Sequence, residues 1–316
     1  MRDVETVSAP SASQLRTFRW HGCDILSELP LALDPSPGDP GALQELHIVG
    51  ESELELPRTA LLAESRFTGY RLYLDPKAGC WLARDEDCIY LSRSQIRVAP
   101  EPSNSAQLEY LRTRALALWL HLVEMPPIHA SAVARNGNAV ALVGDSGAGK
   151  STLAAALVRF GYGLYADDLL PLSVHQGDVW VHPGGPHLRM WPDSAEHFHA
   201  RSSTLPRVTA GTAKRLLNMG LANSAEVPRL RAIVLLERSS ADVAIAIEKL
   251  PGSKALLALI AHGQMAGPAE LLGLGASRMQ VFADVLGCVG VYRIRYPTDY
   301  VRLPEVCAAL DALVQA

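Results

Sequence analysis

The sequence predicts a mixed α/β fold in which a phosphate-binding loop joins a buried strand to a helix, with a smaller β-rich domain before it. Residues 144–151, GDSGAGKS, fit the pattern G-x-x-x-x-G-K-[ST] at every required position. The apolar run 139–143 precedes this loop, and the stretch 152–158 has the composition of a helix. Short strand-like segments separated by turn residues occupy the region upstream.

The N-terminal third is predicted to be a tail followed by the small β-rich domain. Residues 1–15 are polar and rich in Ser and Pro, which predicts a disordered tail. Residues 16–105 are then expected to form the domain, interrupted by an exposed Pro- and Gly-rich loop at 34–41. Its clearest strands have the spacing of a meander and are predicted at 71–74, 80–83 and 88–91.

The rest of the chain is predicted to be a connecting helix and the P-loop domain. Residues 106–126 have apolar residues at helical spacing and end in a Pro-Pro pair, which stops a helix. The P-loop domain is placed at 127–316. Its first strand, 128–134, meets Asn136-Gly137, the favoured pair of a tight hairpin turn. Further elements are expected as a strand at 231–236, a helix at 252–263 and an amphipathic helix from Pro304 to the C-terminus.

Composition excludes several classes of function. The 316 residues are 48% hydrophobic and carry a net charge of −4, which gives no electrostatic footprint for nucleic acid. The five cysteines are scattered, which predicts reduced thiols rather than disulfides or a zinc site. There is neither a secretory signal pattern nor an apolar run long enough to span a membrane. We therefore expect a cytoplasmic protein that binds no membrane and no nucleic acid.

The loop itself predicts binding of ATP with Mg²⁺. Glycines let the backbone wrap around phosphate, and the loop amides together with the helix N-terminus form an anion site. Lys150 is expected to reach the β- and γ-phosphates and Ser151 to bind Mg²⁺. The residues predicted to contact the nucleotide are Gly144, Asp145, Ser146, Gly147, Ala148, Gly149, Lys150, Ser151, Thr152 and Arg189.

Two adjacent carboxylates, Asp167 and Asp168, follow a predicted strand, whose end we expect to lie beside the loop. One carboxylate there can bind Mg²⁺, directly or through water, and the other can accept a proton from an attacking hydroxyl. Because adjacent strand residues face opposite sides, both reach the site only if Asp168 already lies in the turn. The alternative is an exposed turn carrying two acids.

Other side chains are candidates with a structural alternative. His129 precedes the hairpin and is expected near the terminal phosphate, although a lone His is more often packed or exposed. Arg189 has a planar guanidinium, which can donate two hydrogen bonds to the same phosphate; the alternative is a surface residue beside Trp191. Lys214 and Arg215 are interpreted as a solvated helix face. The remaining histidines with no zinc spacing are interpreted as structural: His182, His187, His197 and His199.

Over about 128–170, the spacing from His129 through the loop to Asp167 and Asp168 resembles the kinase domain of bacterial HPr kinase/phosphorylase. That resemblance implies a fold related to ATP-dependent phosphoenolpyruvate carboxykinase and phosphorylation of a protein serine. It implies that Asp167 is the general base and that Asp168 supports it or the metal, so that Ser151 and Asp168 are the metal ligands. His129 and Lys150 would lie at the transferred phosphoryl group.

The resemblance has limits along the chain. The glycine-rich signature of that family is not recognisable after the acid pair, and only Arg189 stands in its nearest counterpart, 184–191. The chain is more similar to the shorter HPr-kinase-like proteins of gene clusters for ribosomally made peptides, including lasso peptides. This implies a peptide or small-protein substrate that bears a serine, and a homo-oligomer. The alternative function is a nucleotide-binding switch without phosphotransfer.

Overall fold

The structure, a computed structural model, describes residues 15–29, 31, 42–51, 54, 56, 61–64, 70–75, 79–84, 87–98, 105–209, 211–220, 227–240 and 243–315. The predicted tail, apart from Leu15, and the predicted loop at 34–41 lie outside the described residues. These residues form a mixed α/β structure with two large sheets and three two-stranded ones.

The first large sheet has eight strands in the order β1-β2-β3-β8-β7-β6-β5-β4. Its strands are β1 Arg16–Trp20, β2 Cys23–Ser27, β3 Glu45–Gly50, β4 Leu61–Glu64, β5 Arg71–Asp75, β6 Gly79–Arg84, β7 Asp87–Leu91 and β8 Gln95–Val98. Strands β4 to β8 form an antiparallel meander, and the three strands predicted from their spacing are β5, β6 and β7. Alternating apolar residues on one face supply its core.

A helical segment covers that apolar face. It consists of α1 Ser105–Tyr110, a π-helical turn Leu111–Ala115 and α2 Leu116–Leu122. Trp119 is fully buried in the shared core, and its indole N–H donates to the carbonyl of Arg93, 2.8 Å away. The segment stops before Pro126, because proline cannot continue the hydrogen-bond ladder.

The second large sheet, which we call the central sheet, has six strands in the order β12-β10-β11-β18-β20-β19. These are β10 Ala130–Arg135, β11 Asn138–Val143, β12 Gly163–Ala166, β18 Arg229–Ser239, β19 Ala246–Lys249 and β20 Gly290–Pro297. Strands β11, β18 and β20 are parallel, and the others are antiparallel to their neighbours. Asn136 and Gly137 have φ values of +53° and +75°, as their hairpin turn requires.

Strand β12, which the acid pair follows, does not pair with β11, because the hairpin places β10 between them. Since β10 is antiparallel to both, β11 and β12 run in the same direction. Their carboxyl ends therefore still meet at one edge of the sheet.

Helices cover both faces of the central sheet. Apolar side chains of α3 Lys150–Arg159 and α8 Leu303–Gln315 pack on one face, and those of α5 Gly252–Ala261 and α7 Gly275–Cys288 pack on the other. The remaining helices are α4 Pro192–Phe198 and α6 Ala266–Leu271. The small sheets pair β9 Pro127–Ile128 with β13 Leu170–Pro171, β14 Val174–His175 with β15 Asp178–Val179, and β16 His187–Met190 with β17 Arg215–Asn218.

Two further findings concern the whole of the described chain. The five cysteines are free thiols, and only Cys288 is exposed. No helix within the described ranges combines the length and the apolar character needed to cross a lipid bilayer.

Candidate active site

The predicted phosphate-binding loop connects β11 to α3, and its conformation depends on its glycines. Gly144, Gly147 and Gly149 have φ values of +155°, +87° and +94°, which residues other than glycine rarely adopt. A Cβ atom on Gly149 would also lie 2.7 Å from the hydroxyl oxygen of Tyr296. That hydroxyl donates to the carbonyl of Ala148, 2.8 Å away, and so fixes the loop to the end of β20.

Lys150, the first residue of α3, folds back over the loop. Its Nζ donates to the carbonyl oxygens of Gly144 and Asp145 at 2.6 and 3.1 Å. Burial lowers the pKa of this ammonium group, and the nearby charges of Asp167 and Asp168 oppose that shift. The amine is thus held at the mouth of an amide-rich loop, where a phosphate would meet it.

A cavity of about 310 Å³ opens beside the loop. It brings together both acids of the pair with His129 and Arg189. Six further predicted nucleotide contacts line it: Ser146, Gly147, Gly149, Lys150, Ser151 and Thr152. The other three predicted nucleotide contacts, Gly144, Asp145 and Ala148, present carbonyl oxygens to Lys150 and Tyr296 instead.

Asp167 is the carboxylate beside the loop. Its Oδ1 accepts hydrogen bonds from the hydroxyls of Ser131 and Ser151 at 2.5 and 3.0 Å, and its Oδ2 accepts from the backbone N–H of Arg189 at 2.7 Å. Burial raises the pKa of Asp167, although these three hydrogen bonds favour the charged form. The result is a fixed carboxylate with a raised affinity for a proton.

Asp168 reaches the same cavity by leaving the strand conformation. Strand β12 ends at Ala166, and Asp168 has a φ of +78°, so it does not alternate to the opposite face. Its carboxylate lies 3.1 Å from Nδ1 of His129 and 2.9 Å from Nη1 of Arg189. Burial alone would raise its pKa, but the His129 hydrogen bond and the positive charge of Arg189 lower the pKa well below the usual range.

His129 lies between β9 and β10, and hydrogen bonds fix both its backbone and its imidazole ring. Its backbone N–H donates to the carbonyl of His262, 2.8 Å away. Its Nδ1 lies 2.9 Å from the backbone oxygen of Asp168 as well as near the Asp168 carboxylate. Nε2 of Gln264 lies 3.3 Å from the same ring nitrogen. Gln264 donates to the same backbone oxygen of Asp168 and braces the turn.

Arg189, on β16, links the acid pair to the helix that covers the first sheet. The same Nη1 that meets Asp168 lies 2.7 Å from Oε1 of Glu109 in α1. Burial raises the pKa of Glu109, and the charges of Arg189 and Arg112 oppose that rise. The Glu109 and Arg189 side chains are only 15% and 17% exposed, so this pair is far less screened than a surface ion pair.

Several residues of the site were not predicted from the sequence. Ser131 had a usable signal, since it lies two residues after His129 in the predicted strand 128–134, whose alternation places both side chains on one face. Glu109 and Gln264 had none, because their contacts with the site cross long stretches of chain. Lys214 and Arg215 do not form a helix face: Arg215 begins β17, and Lys214 lines the cavity.

The remaining histidines give no metal centre. Within the described ranges, no group of three or more His, Cys, Asp and Glu side chains is arranged to hold a metal ion. His197 instead stacks on the ring of Tyr300, with ring centres 4.3 Å apart. The oxygen atoms near the loop that suit Mg²⁺ are the Ser151 hydroxyl and the carboxylates of Asp167 and Asp168.

No protein-family model and no curated protein matches this chain. Among solved structures, the chain is similar to the Hpr(Ser) kinase/phosphatase from Coxiella burnetii. The identity is 12%, the alignment covers 59% of this chain and 94% of that one, and the TM-score is 0.31. Function has therefore to be inferred from the residues of the site itself.

Proposed function

We propose that this protein is an ATP-dependent kinase that phosphorylates a serine of a peptide or small protein. The observation that carries the proposal is the pair of adjacent carboxylates, which face one phosphate-binding cavity with opposite pKa shifts. Neighbouring groups whose environments separate their pKa values in this way are typical of divided acid–base roles. Phosphoryl transfer needs such a division beside a phosphate cradle.

Asp167 is proposed as the general base. Its raised pKa gives it a higher proton affinity than Asp168, and its hydrogen bonds to Ser131, Ser151 and Arg189 fix its orientation. Asp167 would take the proton from the serine hydroxyl while that oxygen forms a bond to the terminal phosphorus. The bond between this phosphorus and the bridging oxygen then breaks, and ADP leaves with the electron pair.

The other site residues would bind and stabilise charge. Lys150 and the loop amides would hold the β- and γ-phosphates, with Arg189 nearby as a further cation. Ser151 and the ionised Asp168 would hold Mg²⁺, Asp168 directly or through water. The cation, when bound, neutralises phosphate charge and aligns the transferring group. His129 would fix the orientation of Asp168 next to that group.

The acceptor is proposed to be a precursor peptide of a ribosomally made product, such as a lasso peptide, following the resemblance of the loop and acid pair. Co-expression with the peptide encoded beside the gene, followed by intact mass spectrometry, tests this. We expect the mass of one phosphate to be added to a serine in the wild type. ADP release with no modified peptide would instead support the nucleotide-binding switch.

A further inference from the structure

The charges of the chain are unevenly distributed near the cavity. Between Glu196 and Glu226 the sequence contains no Asp or Glu, although the whole chain has a net charge of −4. The same stretch carries four permanent cations, which we call the basic rim: Arg201, Arg207, Lys214 and Arg215. A cluster of one sign on an acidic protein concentrates ligands of the opposite sign.

Three residues of the basic rim lie at the candidate active site or next to it. Lys214 lines the cavity, and Arg215 pairs in β17 with Met190 of β16, which also lines it. Arg207 in turn pairs with Arg215 through an isolated bridge. An anionic chain whose serine enters the cavity would therefore pass Lys214, Arg215 and Arg207.

Carboxylates of the described residues do not occupy the cations of the basic rim, although Nη1 of Arg215 donates to the carbonyl of Leu205 at 3.0 Å. None of them forms an ion pair with a carboxylate in the part of the chain that the structure describes. Arg201 and Arg207 are exposed. The Lys214 ammonium group lies 5.4 Å from the ring centre of Trp191, an exposed cavity residue, so an apolar contact accompanies the charge.

We propose that the basic rim docks an acidic segment of the acceptor peptide next to the serine that is phosphorylated. This inference rests on the proposed function, since it names the class of substrate that the same cavity takes. An acidic peptide is favoured over nucleic acid because the whole chain carries a net charge of −4, whereas nucleic-acid binding normally requires a broad basic surface. Rim charges of this kind mainly set partner choice and salt dependence.

A binding measurement tests the proposal without requiring catalysis. Two fluorescent peptides would each contain one serine, flanked by aspartates in one and by asparagines in the other. Fluorescence anisotropy with the full chain should show the aspartate peptide binding about tenfold more tightly at low salt, with the preference shrinking as salt rises. Equal affinity for the two peptides would overturn the proposal, as would tighter binding of an oligothymidylate of the same net charge.

A matched pair of variants locates the effect. Arg207→Glu should reduce the preference for the aspartate peptide about fivefold, because it reverses one charge of the basic rim. Arg16→Glu makes the same change at an exposed position of β1 in the first sheet and should leave the preference unchanged. Equal effects of both variants would contradict a localised site. Circular-dichroism melting of both variants checks that the fold is kept.

The outcomes separate this inference from the kinase proposal. A charge preference that depends on Arg207, without any phosphorylated peptide, would overturn the kinase proposal and leave the docking surface in place. Phosphorylation of both peptides with equal KM would overturn the docking surface and leave the kinase in place.

Discussion

The two large sheets of this protein place their polar groups differently. In the central sheet, β11 and β12 end at the same edge, so the phosphate-binding loop and the acid pair meet there. The mostly antiparallel first sheet buries one face under the helical segment 105–122 and packs a small cluster of Trp81 and Tyr90 on the other. Convergent strand ends bring together residues that are far apart in sequence, and a meander does not.

The first sheet still touches the segment that carries Arg189. The backbone N–H of His21, in the β1–β2 turn, donates to the carbonyl of Pro183 at 2.8 Å. A Cβ atom on Gly184 would clash with the His21 ring, so glycine is needed for this close approach. Together with Glu109, this contact connects the first sheet to the candidate site. The following changes measure how much each sheet contributes.

The largest effect is expected in the central sheet, from Asp167→Asn. Removing the proposed base should lower the rate of peptide phosphorylation about 10³-fold while nucleotide affinity stays within about twofold. Single-turnover phosphorylation and ATP titration calorimetry measure the two quantities. Asp284→Asn, on an exposed face of α7, is the control. An unchanged rate in Asp167→Asn would refute the base assignment.

Lys150→Ala should affect binding more than the fold. The ammonium group is expected to make charge-assisted hydrogen bonds to phosphate, so its loss should weaken ATP affinity about 10- to 100-fold. Calorimetry with ATP and Mg²⁺ measures this, with Lys254→Ala at an exposed position of α5 as the control. Equal affinities of the two variants would place the nucleotide elsewhere.

Low pH should reduce the stability of the fold through His21, which connects the first sheet to Pro183 and Gly184. Burial lowers the pKa of His21 from 6.5 to about 3, so below pH 6.5 the unfolded chain binds a proton that the folded chain does not. Stability should therefore fall from pH 6.5 towards pH 3, and His21 alone should contribute about 2 kcal/mol of the loss at pH 5.

Denaturant unfolding of the wild type and of His21→Gln at several pH values checks the sign and the size. The variant should keep a shallower slope, which comes from other histidines whose pKa burial also lowers: His121, to about 4, His182 and His262. Identical slopes for the two proteins would contradict the assignment to His21.

The smallest effect is expected from Glu109→Gln. Arg189 would keep its ion pair with Asp168 but lose its ion pair with Glu109. Phosphorylation should therefore slow about fivefold, which raises the activation free energy by about 1 kcal/mol, with ATP affinity unchanged. Glu124→Gln breaks an exposed ion pair with Arg93 and should change the rate less than about twofold. If both variants behave alike, the first sheet does not act on the site through Glu109.

The sequence was sufficient for local features and insufficient for distant contacts. The loop, the Asn136-Gly137 hairpin and the meander follow from short-range chemistry, because each depends on residues close together in the chain. The left-handed conformation of Asp168 has no sequence signature, since an aspartate only tolerates it. The position of β10 between β11 and β12 and the Glu109–Arg189 pair depend on tertiary packing.

The central claim is that Asp167 faces the terminal phosphate of a nucleotide held by Lys150. A crystal structure with a non-hydrolysable ATP analogue and Mg²⁺ tests it most directly. We expect the terminal phosphate between the Lys150 ammonium group and the Asp167 carboxylate, with space for a serine hydroxyl beside that carboxylate. A nucleotide bound with its terminal phosphate directed away from both acids would contradict the account.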